Sequence, residues 1–475
     1  MRLRLYMNGK GNNGEMPGKL LSGSAAFLIP MLAALFRMAS FWFCVKYFEL
    51  ITLHPFYSGE DSATLMIQVL YEFLLSRTNV RFKMNIQINM MECLPADIEE
   101  AQLLGRVWRP GPVAGPSVVL IERGQVYDIS MSYPIMAELC NRSDLSIQLA
   151  VSQRVELGPV QEILANSDLE VRDTSKPYFL APCDLQTVKA CGVTFASSMI
   201  ERLVEEQAKG DPQAAKAFRD ELHTELDFDL STIKPGSPEA MATKEVLIKK
   251  GLWSQYLEVG IGPDAEVFSK APAMASLGTG ETLGIRADSH WNNPEPEVVL
   301  AVTCRGEIIG AALGNDVNLR DFEGRSALLL GKAKDNNGSS VIGPFIRLFD
   351  EHFTLRDLRH AKVTVEVRGT DGFALHDQSN MEKISRDVED LVGQTIGRHH
   401  QYPDGLMLYT GTLFSPTKDR SQPGEGFTHK PGDVVKIASP QLGALINRVG
   451  LCHEIPPWRF GITRLVRNLA ARRLL

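Results

Sequence analysis

The chain has 475 residues, of which 44% are hydrophobic and 23% charged, a composition typical of a globular protein with two or three domains. Its net charge of -7 argues against a dedicated nucleic-acid-binding protein, because such a protein presents a positive surface to phosphates. The seven cysteines form no Cys-x-x-Cys pair, which favours reduced thiols over a disulfide framework. We therefore expect a cytoplasmic protein without nucleic-acid partners.

Residues 1–90 differ from the rest of the chain because they carry apolar runs next to basic residues. The run at 20–36 is interrupted by Pro30 and is shorter than the about 20 apolar residues that a membrane span needs. Ordinary globular patterning begins at Met90 and Met91. We interpret the segment as an atypical extension translated from upstream of the true start, with association to a membrane as the second interpretation.

Residues 91–180 predict a small β-rich N-terminal domain. β-Branched and aliphatic residues predict a strand at 116–122, and a Gly-containing turn separates it from a second strand at 125–129. A short helix is predicted at 134–140. This pattern indicates a sheet-forming unit that ends near residue 180.

Residues 181–475 combine helices with a larger number of strand patterns. Helices are predicted up to about residue 209 and at 213–225, 238–258 and 385–397. Strands are predicted at 266–270, 295–302, 307–314, 341–349, 362–368, 405–409 and 434–438. No Gly-x-Gly-x-x-Gly or Walker motif accompanies a βαβ pattern, so we predict a mixed, mainly β fold with α-helices (α+β).

Three acidic residues stand out at the ends of neighbouring strand patterns. Glu295 and Glu297 are separated by one residue, and residues i and i+2 of a strand point to the same face. Asp316 follows at the end of the next strand pattern. Three oxygen ligands without His or Cys suit Mg²⁺, Mn²⁺ or Ca²⁺ better than zinc. On spacing alone, a solvated acidic edge of the sheet remains the alternative.

A series of short motifs resembles the fumarylacetoacetate hydrolase superfamily over about residues 181–450. In order, the motifs are Phe268-x-Lys270, Glu295-Pro296-Glu297, Gly314-Asn315-Asp316-Val317-Asn318-x-Arg320-Asp321, Gly343-Pro344, Tyr409-Thr410-Gly411-Thr412, Pro431-Gly432-Asp433-Val434-Val435 and Gly443 to Asn447. Because they occur in the family's order, chance is a poor explanation. The resemblance implies a mixed β-roll catalytic domain, a Mg²⁺ cofactor with Mn²⁺ as the alternative, a small 2-keto acid substrate, and a homodimer or homotetramer.

The resemblance also assigns site residues. It implies that Glu295, Glu297 and Asp316 are the metal ligands. The family's catalytic lysine lies nine residues before the Gly-Pro pair, which favours Lys334 over the second choice, Lys332. Lysine at either position would otherwise be interpreted as an exposed cation of a loop.

One departure from the family pattern bears on the reaction. Hydrolytic members carry a His and, three residues later, a Glu, whereas this chain has Ser198 and Glu201 at those positions. Serine is no general base near neutral pH without an activator of its own. A branch of the superfamily that lacks this His dehydrates 2-keto-3-deoxy-pentonates, and Glu266 matches its proton-transfer glutamate. Lys270 and Thr412 are then expected to hold the substrate.

These residues predict a metal-dependent hydro-lyase of pentose catabolism. It would dehydrate 2-keto-3-deoxy-D-xylonate or arabinonate to 2-oxoglutarate semialdehyde, with Glu266 and Lys334 as base and acid in either order. One alternative is a carbon–carbon hydrolase of the acylpyruvate or fumarylacetoacetate type, or an oxaloacetate decarboxylase, in which His290 or His429 replaces the missing base. A membrane-anchored binding protein with structural acids is a third hypothesis.

Overall fold

The computed structural model describes residues 86–209, 211, 214–215, 233–251, 253–414, 416, 418–420 and 426–475. The apolar runs of the first segment and most of the predicted helix at 213–225 lie outside these residues. Within the described part of the chain, no helix combines the length and the apolarity that a bilayer crossing requires.

The first part of the described chain consists of short strands with helices between them. Its strands are β1 (Leu103–Arg109), β2 (Gly115–Glu122), β3 (Gln125–Asp128), β4 (Val155–Pro159) and β5 (Tyr178–Leu180). Its helices are a 3₁₀ turn (Met90–Cys93), α1 (Met136–Cys140), α2 (Leu145–Val151) and α3 (Val160–Ala165). The structure confirms the predicted strands at 116–122 and 125–129 and the short helix that follows them.

The second part supplies the remaining strands and the longer helices. The strands are β6 (Thr187–Gly192), β7 (Glu266–Ala271), β8 (Thr282–Ile285), β9 (Asn292–Asn293), β10 (Pro296–Val302), β11 (Ile308–Asp316), β12 (Asn318–Leu319), β13 (Ser340–Leu348), β14 (Lys362–Arg368), β15 (Ala374–Asn380), β16 (Leu406–Tyr409), β17 (Val434–Ser439) and β18 (Gly443–Leu451). The helices are α4 (Ala196–Gln207), α5 (Pro238–Lys250), α6 (Gln255–Ile261), α7 (Arg320–Glu323), α8 (Leu330–Lys334), α9 (Leu355–Arg359), α10 (Val388–Thr395) and α11 (Ile462–Ala471), with 3₁₀ turns at Ala327–Leu329 and Met381–Lys383.

Three sheets organise these strands. The largest has eleven strands in the order β4-β3-β2-β1-β13-β11-β10-β16-β6-β7, with β5 paired to β1. A five-stranded sheet has the order β15-β14-β17-β18-β8, and β9 pairs with β12 in a two-stranded ribbon. Most pairs are antiparallel, but β16 pairs in parallel with β6 and β18 with β8. The predicted mixed, mainly β fold with α-helices is confirmed.

Strands from both sides of residue 180 share the large sheet. β1 pairs with β13 through Leu103 opposite Arg347 and Leu104 opposite Ile346. The first five strands therefore continue the same hydrogen-bonded sheet that holds β10 and β11. The division into a domain at 91–180 and a catalytic domain at 181–475 stays a prediction.

Strand β10 is buried along its whole length and separates two parts of the core. Its side chains alternate between the two faces of the sheet, as in any strand. Val298 and Leu300 pack with the five-stranded sheet, whereas Val299 and Ala301 pack with the cluster on the opposite face. A shift of one residue would move Glu297 to the opposite, apolar face of the sheet, so the register of β10 is strongly specified.

Several elements, among them β18 and α11, were not predicted, and two further differences from the prediction have a clear physical reason. The helix predicted at 238–258 is two helices, because Gly251 ends α5 in a left-handed conformation with φ 71° and Ser254 caps α6. Strand β15 was not predicted, since it lies at the edge of its sheet and most of its side chains are exposed or polar. Such an edge strand has no apolar alternation to reveal it.

Candidate active site

Three buried carboxylates meet where β10 begins and β11 ends. The antiparallel register places Pro296 opposite Asn315, so that Glu295 and Glu297 lie beside Asp316. One oxygen from each carboxylate lies within 4.8 Å of the others, and none of the three residues is more than 2% exposed. The peptide N–H of Asp316 donates to the carbonyl of Glu295 at 3.0 Å, which holds the two strand ends together. The structure thus brings together the three residues assigned as metal ligands.

The electrostatics of this cluster fit a divalent cation. Burial raises the pKa of the Glu297 carboxyl well above its ordinary value, and the neighbouring Asp316 and Glu295 raise it further. The peptide N–H of Gly411 donates to Glu297 Oε2 at 2.7 Å and opposes this shift only in part. Among the residues that the structure describes, the cluster consists of three carboxylates with no His or Cys, the oxygen-rich donor set that Mg²⁺ or Mn²⁺ prefers.

Lys334, in α8, reaches into the same cluster. Its buried ammonium donates to Glu295 Oε2 and lies 3.0 Å from Asp316 Oδ2. Burial lowers the pKa of Lys334, but Asp316 and Glu295 raise it more, so the ammonium stays protonated at neutral pH. Of the two candidate lysines, Lys334 is the one at the carboxylates, whereas Lys332 is exposed and lies 5.6 Å from the ring of Phe322.

Lys270, in β7, has different partners from those expected of a substrate-binding residue. Its fully buried ammonium forms an ion pair with Asp316 Oδ1 at 2.6 Å and donates to the carbonyls of Lys334 at 2.5 Å and Val317 at 3.3 Å. Lys270 does not line the cavity beside the three carboxylates. The side chain therefore supports Asp316 and the end of α8 from behind.

Glu266 stands at the first position of β7 and faces the carboxylate cluster. Burial raises its pKa to about 7, and the nearby Glu323 contributes in the same direction, whereas Arg202 and Lys334 oppose the shift. A carboxyl group with this pKa exchanges protons readily near neutral pH. Glu266 pairs across the sheet with Gly192, whose missing side chain leaves room for the carboxylate.

A small cavity connects these groups. Five of its lining residues are acidic, and two are basic. The acidic residues are Glu266, Glu295, Glu297, Asp316 and Glu323, and the basic residues are Arg202 and Lys334. The aromatic ring of Phe268 and the hydroxyl-bearing Thr412 complete much of the wall. This excess of acids favours the binding of a cation.

Sequence reasoning missed Arg202 and Glu323. Arg202 lies on α4 and donates through Nη2 to Glu295 at 2.5 Å and through Nη1 to Glu323 at 2.8 Å. Both side chains are buried, so the guanidinium bridges a metal-site carboxylate and a second acid. One sequence signal points to Arg202. It lies four residues after Ser198 on the predicted helix, and residues four apart lie on the same face of a helix. No comparable signal marks Glu323.

The remaining predicted residues are placed as follows. Thr412 lines the cavity, and its hydroxyl donates to a backbone carbonyl at 2.9 Å. Glu201 is buried on α4 and does not line the cavity. The side chain of Ser198 lies outside the described part of the structure. The roles assigned to these residues stay predictions.

Comparison with known proteins supports this architecture. Residues 275–450 match the family model of the fumarylacetoacetate hydrolase C-terminal domain. This part of the chain is therefore similar to the fumarylacetoacetate hydrolase family, in agreement with the resemblance of its motifs. A 2-dehydro-3-deoxy-D-arabinonate dehydratase from Saccharolobus solfataricus is 30% identical over 184 residues, which are 39% of this chain and 58% of that relative. A probable 2-keto-3-deoxyxylonate dehydratase from Haloferax volcanii is 28% identical over 272 residues, 57% of this chain and 90% of that relative.

Solved structures share the fold. A hexagonal crystal form of 2-keto-3-deoxyarabinonate dehydratase has a TM-score of 0.51 at 21% identity, covering 73% of this chain and 98% of that protein. A 2-keto-3-deoxy-D-arabinonate dehydratase complexed with magnesium and 2,5-dioxopentanoate has the same TM-score at 20% identity, covering 74% and 99%. These matches confirm the fold, and the match to the Saccharolobus relative spans about three fifths of its length.

Proposed function

We propose that this protein is a metal-dependent dehydratase of 2-keto-3-deoxy sugar acids, with 2-keto-3-deoxy-D-xylonate or arabinonate as substrate and 2-oxoglutarate semialdehyde as product. The observation that carries the proposal is one cavity that holds three converging carboxylates, the buried ammonium of Lys334, and Glu266, whose pKa burial raises to about 7. The two relatives named as dehydratases of such acids support it. A homodimer or homotetramer in the cytoplasm is part of the same proposal.

Glu295, Glu297 and Asp316 would hold Mg²⁺, or Mn²⁺ in its place. A bound divalent cation supplies Lewis acidity that polarises a 2-keto group and makes the adjacent C3 proton acidic. One solved structure with this fold is described as complexed with magnesium and 2,5-dioxopentanoate, the compound expected as product here.

The chain's own residues then move the protons. Glu266 in its ionised form takes the C3 proton, and Lys334 donates a proton to the departing C4 hydroxyl. The C3–H and C4–O bonds break, a C3–C4 double bond forms, and one water leaves. Transfer of hydrogen from C5 along the unsaturated chain converts the terminal alcohol to the aldehyde without an external oxidant. Thr412, in the cavity wall, is positioned to bind the substrate.

Residues on α4 and elsewhere favour dehydration over hydrolysis. The helix presents Arg202 to the cavity, and a guanidinium does not act as a base near neutral pH. His290 is exposed, and His429 is buried with Nδ1 3.4 Å from Asp433. Neither histidine lines the cavity, so neither is placed to activate water in place of the missing family histidine.

The decisive experiment is turnover of 2-keto-3-deoxy-pentonates and acylpyruvates by the full chain with Mg²⁺, with EDTA as the control. We expect a five-carbon semialdehyde as the product, detected by mass spectrometry and by coupled oxidation with a nicotinamide cofactor. Pyruvate with a two-carbon fragment would contradict the proposal, as would consumption of acylpyruvates alone. Glu266→Gln should suppress both product formation and deuterium exchange at C3 while metal affinity changes little.

A further inference from the structure

The proposed dehydration needs a proton acceptor beyond Glu266 and Lys334. When water has left, Glu266 holds the proton from C3, and Lys334 has given its proton to the departing C4 hydroxyl. The acid then still carries an alcohol at C5, and conversion of this alcohol to the aldehyde begins with removal of a proton from C5. A further carboxylate in the same cavity is the kind of group that this step requires.

Glu323 is a carboxylate in that cavity. It is the last residue of α7, its side chain is 4% exposed, and it lines the cavity together with Glu266 and Lys334. Burial is the larger cause of the raised pKa of Glu266, and the charge of Glu323 adds to it, so the two carboxylates interact across the cavity. Neither proton transfer assigned above uses Glu323.

Helix α7 holds Glu323 in a fixed position. Nε of Arg320 donates to Asn293 Oδ1 at 2.9 Å, and the carboxylate of Asp321 accepts from the Ser289 hydroxyl at 2.8 Å. These bonds attach the helix to β9 and to the residues just before β9. A group at the end of the helix therefore keeps its place relative to the cavity, as a catalytic group must.

The guanidinium of Arg202 relates Glu323 to the metal site. Its Nη2 donates to Glu295 at 2.5 Å and its Nη1 to Glu323 at 2.8 Å, so both carboxylates accept from one planar group. Glu323 is thus separated from a metal-site carboxylate by the span of one guanidinium. A five-carbon acid whose keto group lies at Glu295 is long enough to extend to Glu323 with its terminal carbons.

We propose that Glu323 is a catalytic base that removes the C5 proton once water has left and thereby leads to the terminal aldehyde. The inference rests on the proposed function and deepens it, because it assigns the step after the loss of water. At that point the C3–C4 double bond is conjugated with the 2-keto group. The C5 proton is therefore acidic for the same reason as the first C3 proton.

The proton balance of this step closes with the three groups. As Glu323 takes the C5 proton, a C4–C5 double bond forms, the C3–C4 double bond shifts to C2–C3, and Glu266 returns its proton to C3. Glu323 then gives its proton to C4, and the C5 hydroxyl loses its proton to solvent. Lys334 recovers from solvent the proton that it gave to the departing hydroxyl. Each residue ends in its starting state, and no oxidant is consumed.

Glu323→Gln tests the role of Glu323, because the amide keeps the size of the side chain and an oxygen for Arg202 but does not take a proton. With 2-keto-3-deoxypentonate and Mg²⁺, the variant should still exchange hydrogen at C3 for deuterium and release water. Formation of the semialdehyde should fall about 100-fold. The unsaturated alcohol 5-hydroxy-2-oxopent-3-enoate should accumulate, detected by its alkene signals in NMR spectra and by the ultraviolet absorbance of a conjugated ketone.

The matched control is Glu281→Gln. Glu281 accepts from Arg172 Nη1 at 2.7 Å, the two side chains are 16% and 7% exposed, and neither residue lines the cavity. This variant should form the semialdehyde without the unsaturated alcohol, as wild type does. Glu323→Asp retains a carboxylate on a shorter side chain. It should form the semialdehyde at least about tenfold faster than Glu323→Gln and accumulate less of the unsaturated alcohol.

Formation of the semialdehyde by Glu323→Gln at the wild-type rate overturns the inference. So does a joint loss of C3 exchange and semialdehyde formation in folded Glu323→Gln protein, because Glu323 then acts before water leaves or has a structural role. If Glu323→Gln does not fold, products of Glu323→Asp without the unsaturated alcohol overturn it. Wild-type protein that releases no water from the acid refutes the proposed function instead, so the two failures are distinguishable.

Discussion

At the scale of single residues, Gly192 determines where the Glu266 carboxylate lies. A Cβ atom at Gly192 would be 1.9 Å from Glu266 Oε2 and 2.7 Å from its Cδ. Because these atoms are the free end of a flexible side chain, we expect Gly192→Ala to fold normally and to displace the carboxylate. Turnover should fall about 100-fold, because a correctly positioned general base accelerates a reaction by at least about this factor. The affinity for Mn²⁺, measured by electron paramagnetic resonance, should change little.

Gly393→Ala is the control for this substitution, because no atom lies within 4 Å of a Cβ built at that position. It should retain wild-type turnover. If Gly192→Ala also turns over substrate at the wild-type rate, the carboxylate of Glu266 does not need its present position for catalysis.

The pKa of Glu266 predicts the pH dependence of the reaction. Burial raises this pKa to about 7, and the base must be ionised to take a proton. The ionised fraction therefore increases as pH rises through about 7, and kcat/KM should rise between about pH 6 and pH 8. Glu266→Gln should lower kcat/KM and remove this limb of the profile. A wild-type profile that falls over the same interval would assign the acid role to Glu266 instead.

Neutralising one metal-site acid should affect metal binding and stability in opposite directions. In Glu297→Gln, a carboxyl whose pKa burial and two neighbouring acids raise is replaced by a neutral amide. The apo protein should have a higher Tm at neutral pH, because a carboxyl whose folded-state pKa is raised costs stability as pH rises from its ordinary pKa towards the raised one, and a neutral amide has no such cost. Mn²⁺ binding should weaken by at least about 100-fold, since a ligand is lost.

Glu295→Gln and Asp316→Asn should likewise abolish turnover and weaken metal binding. Both residues also pair with Lys334, so their apo stability should fall rather than rise. A Glu297→Gln protein with wild-type Mn²⁺ affinity would remove that residue from the set of ligands.

At the scale of elements, helix α4 is held to the site by one buried guanidinium. Arg202→Met removes the cation that pairs with the buried Glu323 and one of the two cations that pair with the buried Glu295. Breaking a buried ion pair by removing one partner costs about 3–5 kcal/mol, so urea unfolding of the apo protein should show a loss of this size. Arg202→Lys should recover only part of it, because one ammonium does not form the two-sided contact of the guanidinium.

The exposed pair of Arg305 with Glu307 provides the control for Arg202. Its side chains are 40% and 59% exposed, so Arg305→Met should change the free energy of unfolding by at most about 1 kcal/mol. If the two substitutions have the same small effect, the Arg202 network does not anchor α4.

At the scale of the whole molecule, the N-terminal boundary lies before Met91. Met90 and Cys93 are buried, and Ile86 and Ile88 pack against the same core cluster. A chain that begins at Met91 loses the burial of Met90, worth about 1.5–3 kcal/mol, together with the contacts of both isoleucines. We therefore expect the chain that begins at Met91 to be less stable than the full chain. The folded part of the protein then begins before Met91.

A chain that begins at Ile86 should retain the Tm and the turnover of the full-length protein. Thermal unfolding and steady-state kinetics of the three chains check this. Loss of activity in the chain from Ile86 would mean that residues before it contribute to folding or to the site.

Short-range sequence patterns were enough to predict several residues of the site. The two-residue repeat of a strand brings Glu295 and Glu297 to one face, and the strand pattern that ends at Asp316 brings the third acid. These contacts involve adjacent strands of one hairpin, so short-range periodicity is enough to predict them. The preference for Lys334 over Lys332 came from the family resemblance, which implies a catalytic lysine nine residues before Gly343-Pro344.

Other parts of the site depend on contacts between distant segments. Arg202 meets Glu295 across 93 residues and Glu323 across 121, and no local pattern encodes such a pairing. The contacts of Lys270 likewise depend on the packing of α8 against β7. Lys270 was expected to contact the substrate, but its ammonium contacts Asp316 and the carbonyl of Lys334.

The sequence by itself determined the mainly β character of the protein, the order of its motifs and the identity of the three acids, because these follow from periodicity and spacing within short segments. Only the tertiary structure decided which groups face the cavity, how deeply they are buried and which charges they meet there. Burial and pairing depend on packing between segments far apart in the chain, and these in turn set the pKa values on which the chemistry depends.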